Sequence, residues 1–172
     1  FYDVTNVEKK SKIKHDKVGN EIAFHQELTT LGDGFYELKV LDVEQLWNSQ
    51  GQMTQSLTME MDPQHPGIQK TNKKSWVYEN SKVSQSTEET WIKGAEGNLV
   101  LDMYTKVVKE ITGYDVLGRF YSGTEYVFDQ SGLVSSSETL YTLYNDKGLI
   151  FEQSKKIQNL FTQDYYETEL TQ

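Results

Sequence analysis

The feature that most restricts this chain is a five-residue pattern: an aromatic residue or histidine, then Asp or Asn, two variable residues and a glycine. It occurs as His15-Asp16-Lys17-Val18-Gly19, Trp47-Asn48-Ser49-Gln50-Gly51, Tyr114-Asp115-Val116-Leu117-Gly118, Phe128-Asp129-Gln130-Ser131-Gly132 and Tyr144-Asn145-Asp146-Lys147-Gly148. Asp or Asn at the first corner of a turn accepts backbone N–H groups, and glycine at the fourth position takes a positive φ without a Cβ clash. Such a turn, ending in a left-handed glycine, folds one strand back on the next through a bulge. The pattern therefore predicts structural turns at Asp16 and Gly19, Asn48 and Gly51, Asp115 and Gly118, Asp129 and Gly132, and Asn145 and Gly148.

Two degenerate copies, Tyr78-Glu79-Asn80-Ser81-Lys82 and Ile92-Lys93-Gly94-Ala95-Glu96-Gly97, fall between the clear ones. Gly32-Asp33-Gly34 and the segment Pro63 to Gly67 sit near the middle of the two long gaps. The repeat is thus about 16 residues, roughly the length of a strand and a turn. Candidate strands are 21–29, 35–47, 52–61, 74–79, 83–92, 98–111, 120–128, 133–144, 149–157 and 160–170. The clearest alternation is in 120–128, where Phe120, Thr124, Tyr126 and Phe128 share a face. The best helix candidates are 98–111 and 154–162, and Val107, Val108 and Ile111 turn the first toward strand. The prediction is an all-β chain: an antiparallel β-meander of hairpin repeats with nine to eleven strands, forming a curved sheet or an open barrel. Residues 1–172 read as a single domain. Its only prolines, Pro63 and Pro66, make 62–68 an irregular connection, since proline cannot donate to a sheet ladder.

Composition narrows the partners. The formal net charge is −9, and Arg119 is the sole arginine. This argues against nucleic acid, which needs basic, bidentate phosphate contacts, and against anionic membrane surfaces. No run approaches the ~20 apolar residues of a membrane-spanning helix, so membrane insertion is not expected. The chain has no cysteine, which removes disulfides, thiol nucleophiles and thiolate metal sites. It begins at Phe1 with neither an initiator Met nor an apolar leader, as a processed mature form or a trimmed chain would. Together with a surface rich in Ser, Thr, Tyr and Gln, this points to an extracytoplasmic protein: periplasmic, cell-surface or secreted.

Tandem copies of aromatic-Asp-x-x-Gly followed by strand residues resemble the YD repeats of Rhs-type and related wall or toxin-shell proteins, with YDVLGRF at 114–120 the nearest to that pattern. The segment WVYENSKVSQS at 76–86 resembles the MORN-variant repeats of small bacterial antitoxin-like and secreted proteins. The resemblance implies a β-hairpin at each copy and no catalytic group in the repeat itself. The chain departs from shell proteins in being much shorter and in carrying arginine after only one glycine, Gly118.

Asp16, Asp115, Asp129 and Asp146 could serve calcium only if brought together, because calcium takes six to eight oxygens. His15, His25 and His65 lack any spacing that aims two of them at one metal. The serines, including Ser135-Ser136-Ser137, show no nucleophile elbow. Glu88 and Glu89 would point to opposite faces of a strand, which weakens a glycosidase reading. No glycine-rich phosphate cradle is present. No cofactor, metal or catalytic residue is therefore expected, and the chain reads as non-enzymatic. The aromatic residues Trp47, Trp76, Trp91, Tyr121, Tyr126 and Tyr141, with Phe120 and Tyr144, form either the core or an exposed binding face; scarcity of Leu and Ile favours the core.

The expected function is a non-enzymatic binding or structural component of a protein assembly, an exported bacterial one, that meets another protein through sheet edges or an aromatic face. The edge candidates are residues 1–7 and 160–172. The alternative is a lipocalin-like or half-barrel carrier of a small hydrophobic ligand, which requires an inward apolar stripe on every strand.

Overall fold

The computed structural model describes residues 4–32, 35–94, 103–160 and 165–171. Eleven strands follow one another: β1 (Thr5–His15), β2 (Glu21–Gly32), β3 (Phe35–Trp47), β4 (Met53–Met61), β5 (Gln69–Glu79), β6 (Lys82–Lys93), β7 (Met103–Tyr114), β8 (Phe120–Asp129), β9 (Gly132–Tyr144), β10 (Ile150–Asn159) and β11 (Tyr165–Thr171). They lie in a single sheet in chain order, an antiparallel meander that does not close on itself. No helix occurs among the described residues; of the two helix candidates, 103–111 and 154–159 are strand and Leu160 is a turn residue. The irregular connection around 62–68 is built from two successive turns, in which the His65 N–H donates to Asp62 O and the Ile68 N–H to His65 O.

The strand at Thr5–His15 was not anticipated. Val7 and Ile13 are its only large apolar residues, and four lysines hide the alternation. Lys12 adopts φ +52°, and at that point the pairing slips from Ser11 opposite His25 to Lys14 opposite Ala23. Lysines and a bulge are common devices on strands at a sheet edge, because both discourage further pairing. The degenerate turn near 92–97 and the Gly32-Asp33-Gly34 turn fall mainly outside the described residues, as does the start of the candidate strand 98–111.

Contacts divide the chain into two units, Phe1–Ser75 with Glu89–Tyr104, and Trp76–Glu88 with Thr105–Gln172. The first unit contains β1 to β4, where Phe24 stands opposite Val43 and Val43 opposite Thr58. The second contains β8 to β11, where Gly123 stands opposite both Ile111 and Thr139.

Burial in both units departs from that of a covered sheet. A sheet with one face packed on a core alternates buried and exposed residues. Here consecutive residues of β2 and β4 in the first unit, and of β10 in the second, are half-buried on both faces. Among the described residues the fully buried positions are Val43, Gly123, Thr139 and Thr142. Among the described residues no aromatic side chain is fully buried, so the expected aromatic core is absent, and several rings are instead covered by cationic side chains. Lys10 Nζ lies 3.6 Å from the Phe24 ring centre. Lys109 and Lys82 lie 5.0 Å from Phe120 and Tyr114, and the Arg119 guanidinium lies 4.3 Å from Tyr144. A long cationic side chain can cover an apolar ring while its head stays in water. Each such contact contributes about 0.5–1 kcal/mol at an exposed site.

Candidate functional site

Four of the five sequence repeats close in one way. Asp16 Oδ1 accepts the N–H groups of Val18 and Asn20, both at 2.9 Å. Asn48 Oδ1 accepts those of Gln50 and Gln52 at 2.9 and 3.0 Å. Asp115 does the same for Leu117 and Arg119 at 2.9 and 2.8 Å, and Asn145 for Lys147 and Leu149 at 3.0 Å. Gly19, Gly51, Gly118 and Gly148 have φ between +75° and +97°, the left-handed conformation that glycine takes without a Cβ clash. Because Asn and Asp do identical work here, the carboxylate charge is not what the turn requires.

The residue four places after the Asp or Asn is a further part of the turn that the five-residue pattern does not contain. In three turns its side chain returns to the corner: Asn20 Nδ2 donates to Asp16 Oδ2 at 2.8 Å, Asn48 Nδ2 donates to Gln52 Oε1 at 2.9 Å, and Arg119 Nε donates to Asp115 Oδ2 at 2.7 Å. The available signal was the polar residue directly after each of those three glycines. The side-chain bond from Asn20, with the backbone N–H bonds of the loop, holds the Asp16 carboxyl below its ordinary range. At Asp115, burial pushes upward, but the Arg119 and Leu117 N–H groups and the Arg119 side chain prevail and the value falls.

The fifth repeat differs. Asp129 pairs directly with Gly132 across a two-residue connection, Gly132 has φ +124°, and Asp129 Oδ1 accepts the Ser131 N–H at 2.7 Å. The degenerate repeat at Glu79–Lys82 is another two-residue hairpin, with Asn80 and Ser81 both at positive φ, the signature of a type I′ turn.

The candidate aromatic residues are divided between the units. In the first, Trp47 Nε1 donates to Glu21 O at 2.8 Å. Trp91 lies against Tyr104 with ring centres 5.6 Å apart, and the Tyr104 hydroxyl donates to Glu89 at 3.0 Å. In the second, Trp76 is half-buried and Tyr121 is exposed where the register shifts between Gly113 opposite Ser122 and Tyr114 opposite Phe120. Tyr126 and Tyr141 share a face of β8 to β10, since Tyr126 stands opposite Ser136, Ser136 opposite Gln158, and Tyr141 opposite Ser154. An open groove of about 460 Å³ follows two cross-strand rows on this face, Tyr126-Ser136-Gln158 and Thr124-Glu138-Lys156. The rows offer hydroxyls, an amide, one acid and one amine, which suit polar contacts with an extended ligand.

His25 is the histidine with the most developed setting. Its Nδ1 is 2.8 Å from Asp42 Oδ1, and its Nε2 is 3.8 Å from Glu27. The open groove beside it is lined by Lys14, Phe24, Asp42, Glu44 and Met59 among others, with no hydroxyl or thiol side chain in its lining. The geometry sets an imidazole against an orienting acid, without a hydroxyl or thiol side chain in the groove lining beside them. His65 pairs with Asp62 at 2.7 Å within the proline connection and keeps the Asp62 carboxyl low. Among the described residues no group of three or more His, Asp or Glu could hold a metal ion. No family model, curated protein or solved structure matches the chain.

Proposed function

We propose that this protein is a non-enzymatic binding or structural component of a protein assembly, and that its partner joins it at a sheet edge. One observation carries the reading: β1 and β11 end the strand order without closing on each other. The outer backbone groups of such strands are a ready template for another strand. Half-burial on both faces adds support, because a sheet with so little interior gains from being covered. Four turns of one geometry support kinship with YD-repeat hairpin proteins. The cysteine-free, polar composition suits an exported bacterial protein.

The carrier alternative requires an inward apolar stripe on every strand, and the uniform half-burial of β2 and β4 does not favour it. The test is isolation of the chain from its native source, followed by amide exchange on whatever complex is recovered. Protection of β1 or β11 amides beyond that of the free chain is expected. Recovery of the chain alone, or a complex that leaves both strands exchanging as in the free chain, removes the edge-pairing proposal.

A further inference from the structure

On the face of β8 to β10 that carries Tyr126, polar side chains fall into two groups. Some are satisfied by neighbours: the Tyr141 hydroxyl donates to Glu152 at 2.6 Å, and Lys156 Nζ reaches Glu167 of β11 at 3.9 Å. In the two rows that line the groove, hydrogen-bonding capacity is left over. Among the described residues, the side chains of Thr124, Tyr126, Ser136, Glu138 and Gln158 have no hydrogen-bond or ion-pair partner within the chain. Glu138 stands opposite both Thr124 and Lys156, yet the Lys156 amine is engaged on its other side. Five polar groups thus meet in one groove with water as their only partner.

The strand register makes these residues one surface. Ser136 and Glu138, two apart on β9, form the floor; Tyr126 and Thr124 rise on β8, and Gln158 and Lys156 on β10. The small Ser136 between Tyr126 and Gln158 leaves room for the groove, which follows β9. Further along β9, past a register shift, Tyr141 stands on the same face opposite Ser154. It lies about 16 Å from the Tyr126 row along the strand direction.

The chemistry of the groove selects its occupant. The backbone of β9 is paired on both sides, and a peptide strand laid on the face would aim its own N–H and C=O groups sideways, parallel to the sheet. Main-chain pairing is therefore confined to the edges. Glu138 and Lys156 cancel, so the floor offers no field to a polyanion or a polycation. Of the five unpartnered groups three are hydroxyls and one is an amide, and these both donate and accept. Sugar hydroxyls do the same, and the C–H face of a sugar ring can rest on tyrosine as other apolar surface does.

We infer that this groove is a binding site for an uncharged linear glycan, seated on Tyr126 and hydrogen-bonded by Ser136, Glu138 and Gln158. The site is on a face of the sheet, so its failure would leave the edge-pairing proposal standing.

The test is an NMR titration of the isotope-labelled full chain with cellohexaose, mannohexaose and N-acetylated chitohexaose, each to about 10 mM. At least one should bind with a dissociation constant of about 1 mM or tighter, moving amides around Tyr126, Ser136 and Gln158. Gln158→Ala, at an exposed position, should weaken that binding roughly threefold to tenfold, and its unchanged melting temperature checks the fold. Tyr126→Ala should weaken it by a similar factor. Glu125→Gln, on the opposite face, should leave it unchanged. The inference is overturned if none of the three glycans binds, if the moved amides lie elsewhere, or if neither Gln158→Ala nor Tyr126→Ala changes the affinity. It is also overturned by a Thr-Val-alternating peptide that moves these amides where the glycans do not, which would assign the groove to protein.

Discussion

The Phe120 ring lies over Gly123, with its Cε2 only 3.1 Å from where a Cβ on that glycine would stand. The same Cβ would meet the Glu110 carbonyl oxygen at 2.3 Å. Lys109 in turn lies over the ring at 5.0 Å. Gly123 thus permits a close approach between β7 and β8, and the aromatic ring covers the backbone that a missing side chain would expose. Gly123→Ala should lower stability by about 1–3 kcal/mol, the usual cost of forcing atoms into a filled space. Gly113→Ala should cost less, because its nearest obstacle is the Ser122 hydroxyl, a side chain that can rotate. Urea midpoints of the two variants settle the order, and equal losses would count against the packing account.

Gly132 and Asp129 separate turn geometry from charge. Gly132→Val places a β-branched residue at φ +124° and should cost about 1–3 kcal/mol. Asp129→Asn keeps an oxygen for the Ser131 N–H and loses only the charge that the Ser131 side chain and N–H hold low, so at pH 7 it should cost less than Gly132→Val. Loss of a specific binding activity in folded Asp129→Asn would show that the carboxylate does more than turn the chain.

The turn carboxylates also predict an acid response. Asp16, Asp62, Asp115 and Asp129 all titrate below the ordinary value of 3.8 in the folded chain. A folded value lower than the unfolded one stabilises above the unfolded value and is lost as pH falls through the folded one. Stability should therefore decline below about pH 4. Asp115→Asn should be less stable than wild type at pH 7, and the gap should narrow as the wild-type carboxyl is protonated. Melting temperatures at pH 7 and pH 3 that differ between the two proteins by the same amount would contradict this.

Lys10 tests whether cationic side chains replace a covering layer. Lys10→Ala uncovers the Phe24 ring and should cost about 0.5–1 kcal/mol. Lys10→Met should recover part of the loss, because its stem still covers the ring although it cannot pair with Glu21. If Met is no better than Ala, covering of the ring by the stem contributes little.

The sequence was most informative where a local rule decides the outcome. The glycines at 19, 51, 118 and 148 need a left-handed backbone whatever lies around them, and 35–47 was legible as a strand in full. β1 was not legible, because its lysines mask the alternation and pairing with β2 holds it in place. Asp129 looked like the other four repeats, since spacing alone cannot tell a two-residue connection from a bulged loop. Placement of the aromatic rings was hidden for a different reason. Whether a ring is buried by a core or shaded by a lysine from the next strand depends on register, which no single stretch of sequence records.

Within β1 to β4 and within β8 to β11, the strands in contact are those consecutive in the chain. No distant segment must be gathered before a hairpin gains its neighbour, so the entropic cost of closing each loop stays small. Such a protein behaves as a nearly one-dimensional array, in which order can start at any hairpin and spread to the next. Within each unit, amide protection should therefore grade from the outermost strand inward, and a weakened turn should fray its own end before the rest of the unit melts.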